Sequence, residues 1–193
     1  MVAYDVFDEI PLFKYGLIMS DPPWQFKNWG DAGERKNASA KYDCLDLDYI
    51  KKIRVGEWAA PDCLLWLWAT NPMLPEALEV MNEWGFTFKT AGHWSKKTSK
   101  NNQHFGTGYI LRSAGEPFLI GTIGKPWTSR GVRSLIEGPV REHSRKPEVA
   151  YTAAEKLCGD VLRLDMFSRQ ERLGWDQFGN EVCKFEPEAA PCT

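Results

Sequence analysis

The stretch GLIMSDPPWQF, residues 16–26, sets an aspartate, two prolines and a tryptophan directly behind a short apolar run. Residues 17–20 read as a buried strand, because consecutive apolar positions are what a strand covered on both faces requires. Asp21 and the prolines stop it. Asp and Pro are ordinary turn formers, so the stretch is at first sight either a turn or an active site. Two prolines, however, remove two backbone donors and leave their carbonyls free to accept. Beyond the strand there is then an acceptor-only set: the Asp21 carboxylate, the rigidly aimed Pro22 and Pro23 backbone, and the aromatic plate of Trp24. That set suits an amino group attached to an aromatic ring.

The exocyclic nitrogen of adenine is such a group. It is a poor nucleophile because its lone pair is delocalised into the ring. Two acceptors on its N–H bonds draw it towards tetrahedral geometry and free the lone pair for attack on an activated methyl. A stacked indole contributes by orientation. The base must leave its helical stack, or be single-stranded already, to reach such a site. A sulfonium cation nearby is favoured by the carboxylate and by aromatic faces.

Outward from this stretch, strand and helix patterns alternate. Residues 45–58 read as a loop leading into a helix, with Leu47, Ile50, Ile53 and Val55 apolar. Residues 63–69 form a second buried strand, stopped by Asn71-Pro72. Residues 75–84 are an amphipathic helix ended by Gly85. Residues 86–94 and 117–121 read as strands, 147–157 as a helix opened by Pro147, and 162–167 as a strand. This predicts an α/β layered sheet, whose ligands sit beyond the carboxyl ends of the strands. Asp21, Asn71 and the segment around Arg169 lie at such ends. The polar stretches at 28–42 and 96–108 have the length and composition of functional loops.

The 193 residues, 43% hydrophobic and 26% charged, fit one well-filled core rather than two. We read residues 1–185 as a single domain and 186–193 as a flexible tail. The N-terminus lacks a basic, then apolar, leader, and the longest apolar run, CLLWLWA at 63–69, is far short of a bilayer span. The expectation is a cytoplasmic protein with no membrane partner. Five cysteines without a CxxC pair and three histidines without ligand spacing predict no metal site. His93 and His104 read as structural or loop residues, since this chemistry needs no histidine base.

Net charge is −2, but residues 89–146 hold eleven Lys/Arg against three Glu, a local +8, leaving −10 elsewhere. Such asymmetry fits one basic face for a polyanion, with Lys96, Lys97, Lys100, Arg130 and Arg133 as candidate phosphate contacts.

Six blocks, in order, resemble the Asp-Pro-Pro-Trp family of adenine-N6 methyltransferases: YGLIMSDPPW, LLWLWATN, VMNEWGFTFKTAGHWSK, GTGYILRSAGEPFLIGTIG, REHSRKPEVAY and LDMFSRQERLGWDQFGNE. The family includes the catalytic subunit of the eukaryotic mRNA adenosine methyltransferase and many bacterial and phage DNA-modifying proteins. The resemblance implies a Rossmann-like S-adenosylmethionine-dependent fold in permuted motif order, with a mixed central sheet and helices on both faces. It implies that Asp21 and the Pro22 carbonyl grip the target amine, that Asp21 also borders the cofactor, and that Trp24 flanks the base. Tyr42 and Glu116 match family residues near the target pocket. For the cofactor it implies Lys146 on the methionine carboxylate, Phe167 and Arg169 on the ribose, and Asn180 and Glu181 on ribose or adenine.

Three positions depart from the eukaryotic pattern: Glu171 and Arg172 replace a His-Asn pair, and the final block ends GNE rather than GNQ. The expected substrate is DNA, on likeness in size to the bacterial and phage members, with a homodimer or second subunit as a possible partner. RNA adenosine methylation is the close alternative and cytosine-N4 methylation a weaker one. The alternative of another class is a nucleic-acid-binding subunit with catalysis lost, against which the intact Asp21–Trp24 motif argues.

Overall fold

The structure is a computed structural model that describes residues 9–25, 45–108, 110–142 and 145–179. Its centre is a seven-stranded mixed sheet in the order β5-β3-β4-β2-β1-β6-β7. The strands are β1 (Tyr15–Ser20), β2 (Ala59–Trp68), β3 (Thr87–Lys97), β4 (Gly115–Ile123), β5 (Leu135–Pro139), β6 (Arg163–Met166) and β7 (Asp176–Phe178). Between them lie the helices α1 (Leu47–Lys52), α2 (Val55–Trp58), α3 (Leu74–Glu83) and α4 (Glu148–Cys158).

β1 is central. It pairs in parallel with β2 on one side and, on the other, with β6 from the far end of the chain. Each of its residues therefore meets a covered face, which is why the run is apolar throughout. Ile18, Leu65, Leu67, Leu119 and Leu164 join Val55, Val80, Met81 and Trp84 on one face. Leu17, Met19, Trp66, Trp68 and Phe118 join Ala150, Tyr151 and Ala154 of α4 on the other. Helices thus cover both faces, as the family likeness implies. The chain leaves β1 towards β2 and returns beside it as β6. The crevice between the carboxyl ends of β1 and β6 is therefore the topological switch point where open α/β sheets take ligands.

Several boundaries move. β2 starts at Ala59 rather than at 63, because its register on β1 jumps between Tyr15 and Leu17. Pro61 sits in that irregularity, where no ladder donor is demanded of it. The 45–58 segment is two short helices, α1 capped by the Asp46 carboxylate on the Asp48 N–H at 3.4 Å. α3 ends as its sequence implies, with Gly85 at φ 83° in the left-handed region beyond the cap. No helix among the described residues is long and apolar enough to cross a membrane.

Candidate active site

Asp21 follows the last residue of β1, its backbone N–H directed at the Met166 carbonyl of β6 at 3.5 Å. Its carboxylate accepts from the Lys146 ammonium at 2.7 Å. Lys146 also pairs with Glu116 at 2.9 Å, and Glu116 with Lys96 at 2.8 Å. These four residues come from the ends of β1, β3 and β4 and from the segment before α4. They form one alternating chain: Lys96, Glu116, Lys146, Asp21. Lys146 lies 5.3 Å from the Trp68 ring centroid and Lys96 lies 4.8 Å from that of Trp94, so both cations rest on indoles.

The two carboxylates respond differently to this chain. Burial alone would raise Glu116, but Lys146 and Lys96 on either side outweigh it and hold it at about 2. Asp21 has one lysine, and the charge of Glu116 opposes its ionisation; burial dominates, and its pKa is raised. Lys146 is buried too, yet its two carboxylates raise its pKa and keep it charged. Two of its three N–H donors face those carboxylates, leaving one for a third anion.

The prolines behave as the acceptor-only reading requires, with one difference. Both carbonyls already accept one backbone N–H: Pro22 from Trp24 at 2.8 Å and Pro23 from Leu45 at 3.2 Å. Each retains its second lone pair. Trp24 differs more. It is only 3% exposed, packs in the core and donates its indole N–H to the Trp68 carbonyl at 3.0 Å. An indole so placed fixes the loop behind Asp21 and offers no open face for stacking.

On the β6 side, Phe167 occupies the left-handed region at φ 60°. That conformation costs a bulky residue on the order of 1–3 kcal/mol, and it lies beside Asp21. Asp21, Trp68, Arg145, Lys146, Tyr151, Asp165, Phe167, Ser168, Arg169 and Gln170 line a crevice of about 20 Å³. Gly179 crosses it closely: a Cβ there would sit 2.7 Å from the Ser168 carbonyl oxygen.

Asp165 is the functional candidate that sequence reading passed over. It is buried, accepts from the Tyr151 hydroxyl at 3.0 Å, and burial pushes its pKa up to about 7. The only signal was an acid inside the apolar run at 162–167. Arg172, which departs from the eukaryotic pattern, is a clamp: it stacks on the Tyr151 ring at 3.5 Å and bonds Glu148 at 2.5 Å.

The five candidate phosphate contacts do not form one surface. Lys96 and Lys97 are tied to Glu116 and Glu137, while Lys100 is exposed beyond them. Arg130 and Arg133 lie on the β4–β5 loop, and Arg133 lines a different cavity with Lys89 and Lys125. Tyr42, Asn180, Glu181, the 28–42 stretch and the tail lie outside the described residues.

The Asp-Pro-Pro-Trp likeness named Asp21 and Lys146 separately, one for the target amine and one for the cofactor carboxylate, and the structure brings them together at the switch point. The MT-A70 family model matches residues 15–181. The chain belongs to the MT-A70 family. Its fold is therefore that of the S-adenosylmethionine-dependent methyltransferases, and the family is one of methyltransferase enzymes. Among similar proteins is the type II methyltransferase M.MunI of Mycoplasma sp, 28% identical over 92% of this chain and 82% of that protein. Human N(6)-adenine-specific methyltransferase METTL4 is 28% identical over 91% of this chain but 40% of its own length. The human N(6)-adenosine-methyltransferase catalytic subunit METTL3 is 25% identical over 89% of this chain and 29% of its own length. The MT-A70 match thus spans most of this chain but under half of either human relative.

Proposed function

We propose that this MT-A70 chain transfers a methyl group from S-adenosylmethionine to the exocyclic N6 of adenine in DNA. The observation that carries the reading is the partly buried Asp21 carboxylate at the carboxyl end of β1, held 2.7 Å from the buried Lys146 at the switch point. The DNA preference is supported by the match to a type II methyltransferase over 82% of its length.

The crevice suits a zwitterionic sulfonium by charge. Asp165 is a buried carboxylate whose burial outweighs its hydrogen bonds, so a cation beside it offsets a cost already present. Lys146 keeps a donor for a carboxylate, and Phe167 and Arg169 line the wall for the nucleoside. A space of about 20 Å³ admits only a water-sized group, so side chains must move aside on binding. S-adenosylmethionine, when bound, supplies an electrophilic methyl on sulfur.

The protein's own part is acceptance and orientation. Ionised Asp21 and the second lone pair of the Pro22 carbonyl accept the two N–H bonds of the target amine and localise its lone pair. The Lys146–Glu116–Lys96 chain keeps the Asp21 carboxylate pointed. After transfer, the amine proton leaves through Asp21 or water.

Tritiated methyl transfer to DNA and RNA pools, with the labelled nucleoside identified and Asp21→Ala alongside, tests the reading. N6-methyladenine in DNA, absent with the variant, is the expected result. Label in RNA alone would move the substrate and keep the chemistry. No label in any pool from folded protein would overturn the reading in favour of a binding subunit.

Two further outcomes are expected. Replacing Lys97 and Lys100 with Ala should weaken DNA binding and flatten the slope of log affinity against log salt by about 1–2; an unaltered slope would place the nucleic-acid path elsewhere. Asp165→Asn should stabilise the protein at high pH. The folded pKa of about 7 lies above the unfolded value, so the stability contribution of Asp165 is fully present below pH ~4 and lost as pH rises through 7. Above pH 7 the variant should gain melting temperature over wild type while binding S-adenosylmethionine more weakly. A lower melting temperature at pH 8 would show that the carboxylate is a net stabiliser.

A further inference from the structure

A second cavity, of about 650 Å³, lies on the α4 face of the sheet, beneath the β4–β5 loop. Its floor is Leu64 and Trp66 of β2 and Phe118 and Ile120 of β4, with Trp66 and Phe118 stacked at 4.0 Å. Leu157 of α4 and Val132 wall it. The lining takes Leu64 and Trp66 from the carboxyl half of β2, Phe118, Ile120 and Thr122 from antiparallel β4, and Lys89 to Ala91 from β3. It shares no residue with the crevice at the switch point.

Three cations border this cavity, Lys89, Lys125 and Arg133, and none makes an ion pair among the described residues. No acid lines it. The Asp62 carboxylate, beside it on β2, is occupied by the Lys125 backbone N–H at 2.7 Å. The lining is not purely apolar: Thr90, Thr122, Thr128 and Ser134 contribute polar groups. The β4–β5 loop that roofs it is anchored, with the Ser129 N–H on the Leu157 carbonyl at 2.8 Å.

The volume is that of a small-molecule site, within about 300–1,000 Å³. The charge calls for an anionic head at the rim. The hydroxyls call for a body that carries its own hydrogen-bonding atoms, because an aliphatic chain would leave them unsatisfied. We infer that this cavity is a second binding site, for a nucleoside monophosphate, with the phosphate on Lys89, Lys125 and Arg133 and the base and ribose among the Thr and Ser hydroxyls of the lining. A free nucleotide and the phosphorylated end of a strand present the same chemistry. The site does not depend on the methyl-transfer reading.

Calorimetric titration with adenosine 5′-monophosphate tests it, on wild type, Asp21→Ala and a Lys89→Ala/Lys125→Ala double variant. One molecule should bind to wild type and to Asp21→Ala alike, and at least about tenfold more weakly to the double variant. Adenosine, lacking the phosphate, and octyl phosphate, lacking the base, should each lose a similar factor. Displacement by a short 5′-phosphorylated oligonucleotide, and not by its unphosphorylated form, would identify a strand end as the source; displacement by neither would identify the free nucleotide. The inference is overturned if the double variant binds as wild type does, if Asp21→Ala abolishes binding, if inorganic phosphate competes as well as the nucleotide, or if the unphosphorylated strand displaces it equally.

Discussion

Asp21→Asn is expected to lower methyl transfer by at least about a thousandfold while the protein stays folded. The amide keeps the shape and one acceptor oxygen but replaces the other with an N–H₂ group that opposes the amine N–H. Removing a donor or acceptor aimed at developing charge typically costs two to three orders of magnitude, and on the proposed reading the same change also removes a charge that faces the cofactor cation. Stability should move the other way. Asp21 is a partly buried acid with a raised pKa, so the neutral amide avoids the cost of desolvating its charge. Loss of activity with an unchanged or higher melting temperature therefore separates a chemical role from a structural one. The wild-type rate should also fall towards acid, as Asp21 protonates at a pH above the ordinary Asp range. A rate that stays flat down to pH 4 would remove Asp21 from the accepting role. Retention of more than about a tenth of the activity in Asp21→Asn would do the same.

The strands that carry the site were legible in the sequence because their patterns are local. β1 and β2 are apolar runs, and α3 and α4 carry proline at or just before the start and glycine at or just after the end. β5 was missed: only Ile136 and Gly138 of LIEGP turn inward, and glycine and proline belong to strands only at edges or bulges. β7 is three residues with one exposed acid, too short to show a period. In the site, Asp21, Glu116, Lys146, Phe167 and Arg169 were named from motif likeness. That Asp21, Lys146, Glu116 and Lys96 form one chain is a fact of sheet order. It emerges only once β4 is known to lie between β3 and β2, which no local pattern states. Trp24 illustrates the opposite limit, since a tryptophan beside a strand-end acid looks the same in sequence whether it faces ligand or core. Asp165 was invisible because burial on both faces of β6 is what makes its charge costly.

Lys146→Met should be the most destabilising single change in the site. The thioether fills nearly the same volume, so packing is conserved and the effect is electrostatic. Asp21 and Glu116 are left as two partly buried carboxylates without their shared buried cation, and Lys96 stays on Glu116 alone. Breaking a buried pair by removing one partner typically costs about 3–5 kcal/mol. The pH dependence identifies the cause. With the cation gone, the folded pKa of Asp21, already raised, goes further up, and that of Glu116 rises from about 2. The Asp21 contribution to stability is then fully present below its unfolded value and lost as pH rises through the folded one. The variant should be closest to wild type in acid and fall behind towards neutral pH. In wild type, Glu116 works in the opposite sense: its folded pKa of about 2 lies below the unfolded value, so its contribution is present above pH ~4.5 and lost towards acid. Adding Asp21→Asn to Lys146→Met should restore part of the lost stability, because one of the two stranded charges disappears, whereas activity should stay at the floor. Melting temperatures of the two single variants and the double, from pH 4 to pH 8, measure this coupling. Simple additivity across that range would mean that Lys146 and Asp21 do not interact, and the ion-pair chain would then have no role in holding the accepting carboxylate.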